Sequence, residues 1–364
     1  MPERAFVPNF LFSKLILSLI FFVMALAYST PSQIRSAMLS WYDDHARVLP
    51  WRSTPDQKPD SYHVWLSEVM LQQTTVQAVI PYFEKFITRW PTVLDLAKAS
   101  QDDVMREWAG LGYYSRARNL HKCAVTVAND YGGEFPSDIK TLKSLPGIGD
   151  YTSAAIASIA FDVPATVIDG NVERVISRLY RIRAPLPDSK PVIRDYANPL
   201  FVGDNLDRPS CFAQSVMDLG ATICTPKSPK CYLCPINEYC EAHHEGDATI
   251  YPIKKKKAKI PERHAVAYIY INDGQVGVER RPEKGMLGGM MGFPTSEWID
   301  ISQDLPQMTD HNNKIRHVFT HFALTLYPVV LRKPHDKMVK YEEIDAIGLP
   351  TLFQKLWNVI KSEL

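Results

Sequence analysis

The sequence predicts a mainly α-helical body followed by a smaller α+β domain, and three observations carry that expectation. From Ser32 to about His244, apolar residues recur at helical spacing between short polar turns, and strand-like runs are scarce. After Tyr251 the composition shifts: Lys254-Lys255-Lys256-Lys257-Ala258-Lys259 precedes three alternating or β-branched runs, over 266–270, 276–280 and 325–331, that read as strands. A chain of 364 residues is also too long for one ordinary core. The expected division is an apolar N-terminal extension over 1–31, a helical domain over 32–250, a basic linker over 251–262 and the α+β domain over 263–364.

The N-terminal stretch 11–27 is almost entirely apolar apart from Ser13, Lys14 and Ser18, and it ends in Ala25-Leu26-Ala27. It reads as a secretory signal with an A-x-A cleavage site, as a single membrane anchor, or, with Met24 or a nearby codon as the true start, as an upstream miscall. The last reading agrees with the cysteines. There are six, too few for a disulfide scaffold, and four crowd between 224 and 240, which points to a metal site in a reducing, cytoplasmic compartment. With 41 basic and 40 acidic residues the net charge is only +1, so a nucleic-acid partner has to be met by local patches.

Along the body, residues 32–42 form a short amphipathic helix, closed by Leu49-Pro50-Trp51-Arg52 and a proline-punctuated loop over 54–59. Tyr62, Trp65, Leu66, Val69, Met70, Gln73 and Val76 trace the stripe of one core-packed helix, with Glu68, Gln72 and Thr75 as its polar stripe. Further helices are expected over 93–96, 101–109, 117–131 and 138–144. Leu145-Pro146-Gly147-Ile148-Gly149-Asp150-Tyr151-Thr152 is then a tight turn entering a helix, since both glycines permit positive φ and Pro146 stops the preceding helix. Such a turn is either an ordinary connection or, with its unpaired N–H groups at a helix N-terminus, a phosphate site.

Three groups of residues invite chemistry. Glu68 is flanked by Trp65, Leu66, Val69 and Met70, and partial desolvation would raise its pKa toward that of a proton donor. Asp169-Gly170-Asn171 follows a short apolar run and opens a helix carrying Arg174, Arg178, Arg181 and Arg183. Capping explains the Asp or the Asn, and the arginines are placed to meet a phosphate backbone. Cys224-x6-Cys231-x2-Cys234-x5-Cys240 is a four-thiolate set that accepts zinc or a [4Fe–4S] cluster. Only one of its spacings is CxxC, which favours the cluster over a zinc ribbon. Cys123 and Cys211 read as ordinary buried residues.

Taken together, Leu49-Pro50-Trp51-Arg52, Trp65-Leu66-Ser67-Glu68-Val69-Met70-Leu71-Gln72-Gln73-Thr74, Gly110-Leu111-Gly112-Tyr113-Tyr114, the glycine turn, Ile168-Asp169-Gly170-Asn171-Val172 and the cysteines resemble the helix-hairpin-helix DNA glycosylases that carry an iron–sulfur cluster, and within them the adenine-removing MutY branch. The resemblance runs from Ser32 to the C-terminus. It implies a helix-hairpin-helix glycosylase domain with a [4Fe–4S] cluster on Cys224, Cys231, Cys234 and Cys240, joined to a Nudix-like C-terminal domain. That domain contains Arg280-Arg281-Pro282 and Gly288-Gly289-Met290-Met291-Gly292-Phe293-Pro294 but lacks the glutamate-rich Nudix catalytic box, so it is expected to recognise and not to hydrolyse.

The implied activity is base-excision removal of adenine mispaired with 8-oxoguanine or guanine in double-stranded DNA by a monomeric enzyme. By the same resemblance the adenine is flipped into a pocket, Glu68 protonates it, and Asp169 stabilises or traps the sugar cation, with Tyr151 and Asn171 positioning Asp169 and the nucleotide. Gln73, Thr74, Leu111 and Tyr113 surround or wedge beside the lesion strand, while Arg52, Gly147 and Gly149 contact DNA. Phe319-Thr320-His321 matches the lesion-recognition loop, with Thr320 where the family usually has Ser. The alternative is an endonuclease III-like glycosylase/lyase, which carries a lysine nucleophile where this chain has Tyr151.

Overall fold

The structure, a computed structural model, describes residues 31–53, 57–203, 206–255, 260–300, 313–362 and 364. The apolar stretch 11–27 with Met24, the Thr54-Pro55-Asp56 part of the early loop, and Lys256 to Lys259 of the basic run lie outside those residues. In chain order the α-helices are α1 Pro31–His45, α2 Ser61–Leu71, α3 Val76–Arg89, α4 Val93–Lys98, α5 Gln101–Glu107, α6 Ser115–Asp130, α7 Ile139–Ser144, α8 Asp150–Phe161, α9 Gly170–Leu179, α10 Lys190–Phe201, α11 Pro209–Thr222, α12 Glu241–His244 and α13 Thr351–Lys361. The strands are β1 Glu262–Asn272, β2 Gln275–Gly277, β3 Glu279–Arg280, β4 Met291–Gly292, β5 Ile315–Val318, β6 Ala323–Leu331 and β7 Met338–Lys340. By contacts the chain falls into two compact units, one made of the chain up to Val48 with Ala157–Lys255, the other of Leu49–Ile156 with Lys256–Leu364. Among the described residues, no helix is long and apolar enough to cross a membrane.

In the first unit α1 packs on α10 and α11. Arg35 Nη1 donates to the Pro199 carbonyl at 2.9 Å, and Arg47 grips the fully buried Asp218 through its Nε (2.5 Å) and its backbone N–H (3.1 Å). Helix α9 crosses α11 closely at Gly220, where a Cβ would stand 2.6 Å from Asn171 Cβ, so only glycine fits.

In the second unit, helix starts are set by side-chain caps. Thr75 accepts from Ala78 N–H, Thr92 and Asp95 form a capping box, Ser100 accepts from Asp103 N–H and Asp138 from Thr141 N–H. The same unit contains a five-stranded sheet in the order β5-β6-β1-β2-β7, with β1 and β6 parallel from Glu262↔Ala323 to Tyr270↔Leu331 and the other pairs antiparallel. Helix α13 lays Leu352, Phe353, Leu356, Trp357 and Ile360 on one face of this sheet, against Ala265, Ala267, Ile269, Leu324 and Leu326.

Three expectations change. The single helix through Val76 ends at Leu71: Gln73 takes φ 59°, and the Thr75 hydroxyl starts a separate helix. That next helix, α3, was not anticipated, because Pro81 punctuates it; yet Pro81 lies in the second turn and Val79, Phe83 and Phe86 still form a buried face. The strand over 276–280 is interrupted at Val278, whose N–H bonds Lys337 O at 2.9 Å while β3 leaves to pair with β4.

The arginines of α9 also change role. Arg178 is 1 % exposed and turns inward. It donates to Cys224 Sγ (3.2 Å) and to the carbonyls of Thr225 (2.8 Å), Pro226 (3.0 Å) and Tyr251 (3.2 Å). Arg181 pairs with Asp247 and Glu245, and Arg174 bonds within its own unit, so three of the four basic side chains serve the cysteine loop and not a phosphate backbone. Arg178→Met would leave three carbonyls without a donor, at about 1–3 kcal/mol each. The expected outcome is a stability loss of several kcal/mol and loss of bound metal from the cysteine loop, read by thermal melting and metal analysis.

Candidate active site and metal module

Leu145-Pro146-Gly147-Ile148 closes a type II turn: Ile148 N–H bonds Leu145 O at 3.2 Å, with proline second and Gly147 third at φ +77°. A Cβ on Gly147 would also meet Asn119 Cβ at 2.7 Å. Gly149, expected to share the positive φ, does not; its carbonyl instead accepts from Ser153 N–H at 2.9 Å as α8 begins. Lys143 pairs with Asp150 across the turn. Two side-chain bonds tie α8 to α2. Tyr151 OH donates to Glu68 Oε2 at 2.6 Å, and Gln72 Nε2 donates to Thr152 Oγ1 at 3.2 Å. Glu68 is 5 % exposed. Tyr151 was expected beside Asp169; the partner found for its hydroxyl is the other carboxyl group.

Asp169 caps α9. Its Oδ1 accepts from the N–H groups of Asn171 (2.9 Å) and Val172 (2.7 Å), and its Oδ2 accepts from Asn171 Nδ2 at 2.8 Å. The bonds continue inward: Arg174 Nη2 donates to Asn171 Oδ1 (2.9 Å) and Gly220 O (2.5 Å), and Arg174 Nε donates to Cys224 O (2.7 Å). The helix donors and Arg174 pull the Asp169 carboxyl down, but burial outweighs them and holds its pKa above the usual carboxylate value. Helix-start donors alone would keep such a carboxyl low; here desolvation is the larger effect.

Cys224, Cys231, Cys234 and Cys240 line one small cavity with Arg178, and none is in a disulfide. Burial, helped by mutual repulsion of the thiolates, pushes Cys234 up to about 12 and Cys240 to about 11, and raises Cys231. Thiols raised in this way become thiolates together only with bound positive charge. Four thiol donors with no histidine among them and a single CxxC spacing fit a [4Fe–4S] cluster better than a zinc ribbon.

In the second unit Gln73, Tyr113, Phe319, Thr320 and His321 line one pocket of about 920 Å³. Tyr113 takes φ 49° and Gln73 φ 59°, conformations uncommon outside glycine and concentrated at functional sites. Phe319-Thr320-His321 is the turn joining β5 and β6. Phe319 N–H bonds Phe322 O at 2.8 Å and the Phe319 ring stacks on Trp298, leaving Thr320 and His321 exposed. Thr320 Oγ1 and Tyr113 OH lie 2.8 Å apart in a hydrogen bond. Leu111 is buried, Thr74 Oγ1 donates to Gln72 O, and Arg52 N–H closes a turn on Leu49 O.

Sequence reasoning missed Arg116. It donates to the carbonyls of Val69, Met70, Leu111 and Gly112 and lies over the Tyr113 ring at 5.5 Å, so it shapes the whole Gly110–Tyr114 loop. Arg118, also missed, bonds Gly288 O. The only sequence signal was the pair of glycines, Gly110 and Gly112, whose flanking carbonyls need a donor.

Comparison with known proteins agrees with this geometry. Residues 66–198 match the HhH-GPD superfamily of base excision DNA repair proteins, 224–240 the iron–sulfur binding domain of endonuclease III, and 265–359 the NUDIX domain. The adenine DNA glycosylase of Buchnera aphidicola subsp. Schizaphis graminum is 33% identical over 343 residues, 89% of this chain and 97% of the relative. The adenine DNA glycosylase of Homo sapiens is 32% identical over 405 residues, 90% of this chain and 74% of the relative. A solved thermostable thymine-DNA glycosylase aligns with a TM-score of 0.51 and 29% identity, over 59% of this chain and 97% of that one. With helical glycosylase domain, [4Fe–4S] cluster and Nudix-like domain all present, the chain belongs to the adenine DNA glycosylases.

Proposed function

We propose that the protein, acting as a monomer, removes adenine paired with 8-oxoguanine or guanine from double-stranded DNA and leaves the abasic strand intact. The observation that carries this reading is the Tyr151–Glu68 bond: the position after the hairpin holds a phenol, which cannot form a Schiff base, and that phenol is committed to a buried carboxyl group. Adenine is a poor leaving group as an anion and a good one once protonated. Glu68 delivers a proton to the base as the N-glycosidic bond breaks, the Asp169 carboxylate stabilises the cation left at C1′, and water adds to that carbon and gives its proton to the Glu68 carboxylate. Tyr151 orients Glu68, and Asn171 orients Asp169. Cys224, Cys231, Cys234 and Cys240 hold the cluster, which supplies the positive charge that keeps their loop folded.

Gln73, Thr74, Leu111 and Tyr113 take the strand opposite the adenine, and Arg52 and the turn at Gly147 and Gly149 take backbone phosphates. Thr320 accepts from the N7–H that distinguishes 8-oxoguanine from guanine, with Phe319 anchoring the turn and His321 at its tip. On a duplex with A opposite 8-oxoguanine, single-turnover assays should release adenine with the strand uncut, and borohydride should trap no adduct. Strand cleavage before alkali, or a trapped adduct, refutes the monofunctional reading.

Asp169→Asn keeps a good helix cap and should abolish base release. Its stability follows from the raised pKa. The ionised Asp169 weakens the native state at pH 7, a penalty that disappears below the ordinary carboxylate value of about 4. The variant should therefore melt at or above the wild-type temperature at pH 7, with the difference closing as pH falls toward 4. A variant that is less stable at pH 7 counts against this account.

Thr320→Ala combined with His321→Ala should slow adenine release opposite 8-oxoguanine more than opposite guanine, by about three- to twelvefold for one lost neutral hydrogen bond. An unchanged ratio of the two single-turnover rates in the folded double mutant returns the turn to a purely structural role.

A further inference from the structure

Three buried side-chain donors in the second unit have no hydrogen-bond partner among the described residues, the indole Nε1 of Trp357 and, close together, the indole Nε1 of Trp65 and the Nε of Arg116. Trp65 is 0 % exposed and Arg116 9 %. Trp65 and Arg116 line the same cavity, of about 80 Å³, whose walls include Gln72 at the end of α2, Asn119 of α6 and Gly147 of the hairpin. A donor left unmet inside a protein costs about 1–3 kcal/mol, more when charged. A cavity of this size has room for more than one water molecule. Two residues with unmet donors line one such space, which points to an acceptor that binds there.

Charge decides which acceptor. No carboxylate lines the cavity. The remaining Arg116 donors go to neutral oxygens, the carbonyls of Val69, Met70, Leu111 and Gly112 and, at 3.4 Å, the Thr74 hydroxyl. Burial pulls the guanidinium down to about 10, with only the Tyr113 phenol opposing. The Trp108 and Tyr113 rings, 5.1 and 5.5 Å from the guanidinium carbon, offset part of its charge; water would satisfy the two donors, whereas a monoanion satisfies them and adds the counter-charge that no lining carboxylate supplies.

We propose that this cavity binds one small inorganic anion of chloride size, held between the Trp65 indole N–H and the Arg116 guanidinium. The anion braces three segments at once: α2, which carries Glu68; the start of α6, which follows the Gly110–Tyr114 loop; and the hairpin. It takes no part in the proton transfers, so the proposal stands apart from the proposed reaction.

Full-length protein with its cluster, crystallised in bromide, should give an anomalous peak in the cavity within hydrogen-bonding reach of both nitrogens. In solution, the wild type should melt at a higher temperature in chloride than in gluconate at equal ionic strength. Trp65→Phe, which keeps a ring and loses the N–H, should lose most of that chloride-specific increment. A cavity filled by water alone at saturating bromide overturns the proposal, as does an undiminished chloride increment in folded Trp65→Phe. Should the variant fail to fold, the bromide map alone decides.

Discussion

Backbone that leaves regular structure inside a folded chain must find partners for carbonyls that no helix or sheet ladder serves. In each unit of this protein that burden falls on a buried guanidinium. Arg178 takes three carbonyls and a cysteine sulfur of the irregular loop around Cys224. Arg116 takes four carbonyls from the end of α2 and the Gly110–Tyr114 loop. A planar fork of five donors suits the task and a lysine ammonium does not. Everything functional in these segments hangs on the two forks, the cysteine positions in one unit and the Tyr113 backbone in the other.

The two carboxyl groups are held by different means. Glu68 sits in mid-helix, and a phenol from α8 donates to it. Asp169 sits at a helix start and receives two backbone N–H groups and an amide, yet burial still governs its pKa. Its neighbour Asn171 is itself fixed by Arg174, whose Nε reaches Cys224 O, so the carboxylate and the first cysteine of the cluster share one continuous set of bonds. Gly220 is what lets α11 come close enough for Arg174 to close that set.

Much of this was legible in the sequence because it depends on local chemistry. Proline and glycine in order fix the turn at 145–148, thiol spacing fixes the cysteine module, and Asp-Gly-Asn before an apolar periodicity fixes a capped helix. What was not legible depends on distant partners. The break after Leu71 is invisible to periodicity, since Gln73 and Val76 fall on the helical stripe; the competing Thr75 cap and the arginine that collects the freed carbonyls 46 and 47 residues later decide it. Arg178 looked like a surface cation because it lies among other arginines, and only the fold shows that its face turns inward. Val278 splits a strand because two sheets compete for it, and strand propensity alone does not register that competition.

The bond between Tyr113 and Thr320 has one further consequence. Both side chains are exposed, so water can replace each partner at almost no net cost, and the contact works as a catch that thermal motion opens. On the proposed reading of Thr320, a turn secured in this way would be aimed before it meets a duplex and released without drawing on binding energy. Inspecting an undamaged pair would then be nearly free, and the protein could let go of it as easily as it took hold.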